Sequence, residues 1–304
     1  MEIPPQLQDL ADAQDGLITR RQALATGLSP AAIRHALGRR GPWQRFVSGV
    51  YVTFGGPLQE RHQVRGALLY AGGEALLSGP VACRGYGLRY VPEARGVVIL
   101  VPPHVRRASV AVATIHRVHS MPVARSVRGI PCAPPERAAI DATRDAGSLR
   151  DVRAVLCEVV QRGQATPERL SDELNRMDPR GLKLARQAVR DVRAGCRSAP
   201  ECELRDLIKR AADLDEPVWN QPLPGAPDTV PDGYYEDVRL VLEVESLEWH
   251  RFGDAPEMTE RRRARLASLG WRVLPVSPRR IREEPAAVVA EIRAARARFQ
   301  RPAA

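Results

Sequence analysis

Residues 240–250 read LVLEVESLEWH, an apolar run that sets Glu243 and Glu245 two residues apart. Side chains alternate faces along a strand, so Val238, Leu240, Leu242 and Val244 form one apolar face, and this must be the core side. Arg239, Val241, Glu243 and Glu245 share the other face, with the two carboxylates roughly 7 Å apart by strand rise. A preceding stretch, TVPDGYY, reads as a second strand, and Glu236-Asp237 is a turn candidate between the two. A hairpin centred there sets Asp232 opposite Val241, or opposite Glu243 after a slip of two. Either register puts Asp232 on the face of Glu243 and Glu245, whereas a slip of one reverses it. Three carboxylates brought together repel and resist ionisation unless a cation neutralises them. A hard divalent ion with oxygen ligands, Mg²⁺ or Mn²⁺, is the expected resident. Glu201, in the first turn of a helix beginning near Pro200, is a fourth acid. It has two readings, a further metal ligand or an acid favoured by the helix dipole.

The chain has 304 residues, room for two or three domains. It holds no run of about 18 apolar residues, so no membrane span is expected. The opening MEIPPQLQDLADAQDG has neither a basic start nor an apolar core, so it is not read as a signal peptide. The five cysteines are odd in number and lack CxxC spacing, which argues against a zinc site or a disulfide framework. A cytoplasmic location is the simplest expectation. The net charge is +10, and the residues from Arg197 onward hold 18 basic against 19 acidic side chains. The first 196 residues therefore carry the whole excess, which suits a polyanionic partner such as DNA.

Four segments are expected: 1–55, 56–146, 147–196 and 197–304. The first reads as three short helices and a hairpin. Thr19 caps a helix through RRQALA that Gly27 ends, and Ser29-Pro30 opens the next. In WQRFVSGVYVTF two strands turn about Ser48-Gly49. Helix, turn, helix and hairpin describe a winged helix, whose second helix enters the major groove. Candidate DNA contacts are Arg34, His35, Arg39, Arg40 and, on the wing, Gln44 and Arg45. The second segment reads as mixed α/β, with a helix near 59–71 and strands at 96–102 and 109–118. The third reads as a helical connector, and the fourth as helix, strand, strand, helix, strand, helix. The fold class expected is α+β and multidomain, ending in an α/β/α domain.

Two resemblances sharpen these expectations. The stretch GLITRRQALATGLSPAAIRHALGRRGPWQRFVSGVYV resembles the N-terminal winged-helix domain of AbiEi-type antitoxins over most of residues 16–52. LLSGPVACRGYGL and GIPCAPPERAAIDA are similar to the region that follows in those proteins. That resemblance implies transcriptional regulation and a cognate toxin protein as partner. Over about 197–280, a helix acid, PDGYY, LVLEVESLEWH and ERRRARLASLGWRVLPVS resemble PD-(D/E)XK nucleases near the very-short-patch-repair endonucleases. In such relatives an acid–x–Asp–Gly pattern is followed, four residues after the glycine, by a histidine. Glu243, Glu245, Ser246 and His250 stand at those positions, Asp232 matches the first-strand aspartate and Glu201 the helix acid. The resemblance implies Asp232, Glu243, Glu245 and His250 as catalytic residues, with Glu201, Asp232 and Glu243 as metal ligands and Arg262 on DNA. Glu245 stands where the superfamily usually has lysine, and Ser246 where it has glycine. Active and inactivated versions both stay open, as does an RNA-directed nuclease.

Overall fold

The computed structural model describes residues 3–244 and 255–299, with side chains over 3–244 and 260–298. The described residues form a mixed α+β structure with three sheets, and the chain divides into two compact units. Met1–Gly147 joins Arg162–Ala185 in the first; Ser148–Gln161 joins Arg186–Ala304 in the second.

The first unit opens with α1 (Pro5–Ala13), β1 (Leu17–Thr19), α2 (Arg20–Ala25) and α3 (Pro30–Ala36). The hairpin β2 (Gln44–Val47) and β3 (Val50–Val52) follows, in a sheet ordered β1-β3-β2. Local chemistry sets these boundaries. Thr19 accepts from the Gln22 amide at 3.1 Å, and the Gln22 side chain takes the Thr19 amide at 2.8 Å, so the helix start satisfies itself. Ser29 caps α3 with Pro30 at its start. Gly49, at φ +82°, turns the hairpin. Ile18, Ile33, Ala36, Trp43 and Tyr51 share one core. The short β1 is not evident in the sequence; it forms because β3 offers a free edge.

α4 (Glu60–Ala71), β4 (Leu76–Ser78), α5 (Gly79–Gly85), β5 (Val97–Val101), β6 (Ala113–Arg117), β7 (Arg125–Val127), β8 (Ile130–Cys132) and α6 (Pro135–Ala142) follow. The five strands are ordered β6-β5-β4-β8-β7. The strand expected over 109–118 starts only at Ala113, because Val110 and Ala113 exchange backbone hydrogen bonds of 2.9 and 3.0 Å and close a turn. Leu77 pairs with Cys132, so LLSGP and GIPCAPPERAAIDA lie side by side. Beneath them Asp141 is buried. It accepts from Ser78 Oγ and Arg137 Nε, both at 2.8 Å, and from Arg144 Nε at 3.1 Å. The chain passes through α7 (Leu149–Gln161), part of the second unit, and returns as α8 (Pro167–Arg176). There Glu173 takes the other end of Arg137 at 3.1 Å.

The second unit holds α7, α9 (Lys183–Arg193) from Arg186 onward, α10 (Ala199–Arg210), β9 (Val218–Trp219), β10 (Gly233–Tyr235), β11 (Leu240–Val244), α11 (Ala255–Ser268), β12 (Arg272–Val276), α12 (Pro278–Glu283) and α13 (Pro285–Phe299). Its sheet is ordered β12-β11-β10-β9. β11 is antiparallel to β10 and, after the α11 crossover, parallel to β12. Leu240 and Leu242 pack with Leu204 and Ile208 of α10, Ile281 of α12 and Ile292 of α13. Val241 packs on the other side with Tyr234, Leu266 of α11 and Trp271. The face assigned to carboxylates therefore also carries core. A strand covered on both sides is apolar on both, and the acids sit only at its end.

Candidate functional site

The site is built at the ends of β10 and β11 and at the start of α10. The hairpin pairs Gly233 with Leu242 and Tyr235 with Leu240. One step further, this register brings Asp232 opposite Glu243, the second of the two registers the turn allowed. Arg239, at φ +49°, closes the four-residue turn that fixes it. Asp232 Oδ2 accepts from the Val244 amide at 2.8 Å. Burial raises the pKa of Asp232, against the lowering by that N–H and by the positive Arg262, Arg197 and Arg205.

Glu243 pairs with Arg262 of α11, with Nε 3.0 Å from Oε1. Arg262 also donates from Nη2 to the Val230 carbonyl at 3.0 Å, so its guanidinium is anchored at both ends. The sequence expectation gave Arg262 to DNA; the structure brings it onto a carboxylate of the site.

Glu201 is 1% exposed. Its amide donates to the helix cap Ser198 at 3.2 Å, and its Oε2 accepts from the Arg197 amide at 2.9 Å. Its Oε1 lies 2.9 Å from Arg205 Nη2, one helical turn on, and also accepts from Asn220 Nδ2. Arg205 lies 4.7 Å from the centre of the Trp219 ring. Burial raises the Glu201 pKa and outweighs the Arg197 N–H and the Arg205 charge, which lower it; the negative Asp232 raises it further. Both oxygens of Glu201 are thus engaged within the protein.

Glu245 and His250 lie outside the described residues, as does Ser246. Three participants were missed in the sequence. Arg205 had a signal, its i, i+4 spacing from Glu201. Asn220 comes from a loop far along the chain and had none. Arg197 is known as a participant only once its amide is seen on Glu201.

As to a metal, the donor set of Asp232, Glu243 and Glu201 is all carboxylate oxygen, the type that hard divalent ions select. Among the described residues, no group of three or more His, Cys, Asp or Glu side chains is arranged to hold an ion.

In the first unit, Arg34 and His35 on α3, Arg39 and Arg40 just after it, and Arg45 on β2 are all exposed. Among the described residues none of the five makes an ion pair, in contrast to Arg205 and Arg262 of the second-unit site. Gln44 instead donates to the Phe54 and Gly56 carbonyls at 2.9 and 3.0 Å, so its amide is committed within the fold. No described helix is long and apolar enough to cross a membrane.

No family model matches the chain. Two uncharacterized proteins of Mycobacterium tuberculosis, MT2308 of strain CDC 1551 and Rv2248 of strain H37Rv, are each 33% identical to it over 116 residues. That stretch is 37% of this chain and 42% of each relative, so the likeness spans less than half of those proteins. The crystal structure of the RV2827C protein from Mycobacterium tuberculosis is similar at a TM-score of 0.41 and 17% identity, over 60% of this chain and 74% of that one.

Proposed function

We propose that this is a DNA-binding protein whose second unit is a metal-dependent, phosphodiester-cleaving domain of the PD-(D/E)XK kind. The observation that carries the reading is the register of β10 and β11, which sets Asp232 opposite Glu243 at the sheet end beside the start of α10. The motif-bearing elements follow one another as helix, strand, strand, helix and strand of one layered domain. The winged-helix reading of the first unit rests on the α2–α3 pair, the β2–β3 hairpin and the exposed Arg34, Arg39, Arg40 and Arg45, none of which makes an ion pair among the described residues.

Asp232 and Glu243 would hold Mg²⁺ or Mn²⁺. A bound cation would supply positive charge at a phosphodiester and a more acidic water. Glu201, engaged on both oxygens, braces the start of α10 against Arg205 and Asn220. Arg262 pairs with Glu243 and fixes it at the sheet end, and about half of the arginine side chain stays open to an incoming phosphate. Following the nuclease resemblance, Glu245 or His250 would orient the attacking water or take its proton. The decisive experiment is nicking of supercoiled plasmid in Mg²⁺. The wild type cuts, while Asp232→Ala and Glu243→Ala fall to background.

The Arg262–Glu243 pair favours a second reading, because an arginine on a carboxylate does part of what a metal would do. On that reading the chain is an antitoxin-like transcriptional regulator with an inactive nuclease-like domain and a cognate toxin protein as partner. Operator protection without plasmid cutting would select it, and preferential cutting of RNA would redirect the first reading to an RNA substrate.

A further inference from the structure

The carboxylate site has a basic approach that the sequence motifs do not mark. α9 buries Ala185, Ala188, Val189 and Val192 on one side. At 3.6 residues per turn, Arg190 and Arg193 project about 60° apart on one flank of that stripe, while Asp191 falls on the other and is taken by Arg153 Nε at 2.8 Å. Arg190 and Arg193 are exposed, and so is Arg197, in the turn that follows the helix. None of the three makes an ion pair among the described residues. A helix dipole accounts for two arginines in a last turn. It does not account for Arg197, which lies beyond Gly195, the left-handed residue (φ +89°) that ends the helix.

The turn after α9 is pinned to the site at three points. Arg205 Nη1 holds the Ala194 carbonyl at 2.8 Å, Asn220 Nδ2 holds the Gly195 carbonyl at 2.8 Å, and the Arg197 amide holds Glu201 at 2.9 Å. The groups that brace the start of α10 therefore also fix where the stripe ends.

We propose that Arg190, Arg193 and Arg197 form a phosphate track that leads a DNA backbone along α9 to the carboxylates of the second unit. The proposal rests on the reading of that site as one that works on DNA. Exposed guanidinium groups that make no internal ion pair bind phosphates without reading sequence.

The test uses the full-length chain with Arg34, Arg39 and Arg40 changed to alanine, so that residual binding reports the second unit. Affinity for a short DNA duplex is measured by fluorescence anisotropy across a range of salt. Adding Arg190→Ala, Arg193→Ala and Arg197→Ala lowers the slope of log K against log salt by about 2–3, at about 0.9 per phosphate contact. Replacing the same three by lysine keeps the slope, which separates lost charge from lost folding. Plasmid nicking in Mg²⁺ is scored in parallel on the same proteins, so failure of the nuclease reading is seen apart from failure of the track. An unchanged slope in the triple alanine variant overturns the proposal, as does an equal loss in the lysine variant.

Discussion

At the residue scale the second-unit site is defined by how each carboxylate is balanced. Glu201 is the extreme case, an acid at 1% exposure with an arginine at 2.9 Å and a raised pKa. Because its folded pKa lies above its unfolded one, the folded chain holds a proton over a span where the unfolded chain has released it. Stability therefore falls as pH rises from the ordinary carboxylate range through the raised value. Glu201→Gln, which has nothing to ionise, should lose that part of the pH dependence. Thermal melts of the two proteins from about pH 4 to pH 8 check this, and parallel pH profiles would contradict it. Asp232, Glu243 and Glu201 were legible as acids at telling positions. Their partners were less so, because pairing depends on register and loop path. Arg262 shows the difference. Its charge suggested phosphate, and only the crossover of α11 reveals that it meets Glu243 first.

At the scale of elements, alternation and capping carried far. Thr19, Ser29 and the Ser48-Gly49 turn fall where the local chemistry of those residues puts them. The hairpin register was legible only as two alternatives, since the 236–239 turn admits both until Arg239 takes its left-handed conformation. The strand at 109–118 failed because a local turn at 110–113 competes with alternation. The helices over 149–193 were plain in the sequence, but α7 and α8 belong to different units, a tertiary fact that amphipathic periodicity cannot supply. Close packing of β9 on β10 links the sheet edge to the site. A Cβ built on Gly233 would lie 2.9 Å from the Trp219 ring, on which Arg205 also rests. Gly233→Ala should therefore displace Trp219 and lower stability by about 1–3 kcal/mol, the usual cost of overpacking. Urea unfolding measures it, and an unchanged or raised midpoint would show that the ring moves freely.

At the scale of the whole molecule, charge is divided between the units. The first carries 23 basic against 14 acidic residues and the second 23 against 22. Long-range attraction to a polyanion thus belongs to the first unit, while the second presents arginines locally, around acids. That division was legible in the sequence as a basic first part and a near-neutral last part. The interleaving of 148–161 and 162–185 between the units was not, because it depends on which helix packs where. In the proposed function, the acids at the ends of β10 and β11 take up a divalent cation. Titration of the 304-residue chain with Mn²⁺ in a calorimeter probes that uptake. The expected result is saturable binding in the wild type that is lost in both Asp232→Ala and Glu243→Ala. No binding in the wild type, or binding that survives both substitutions, would contradict it.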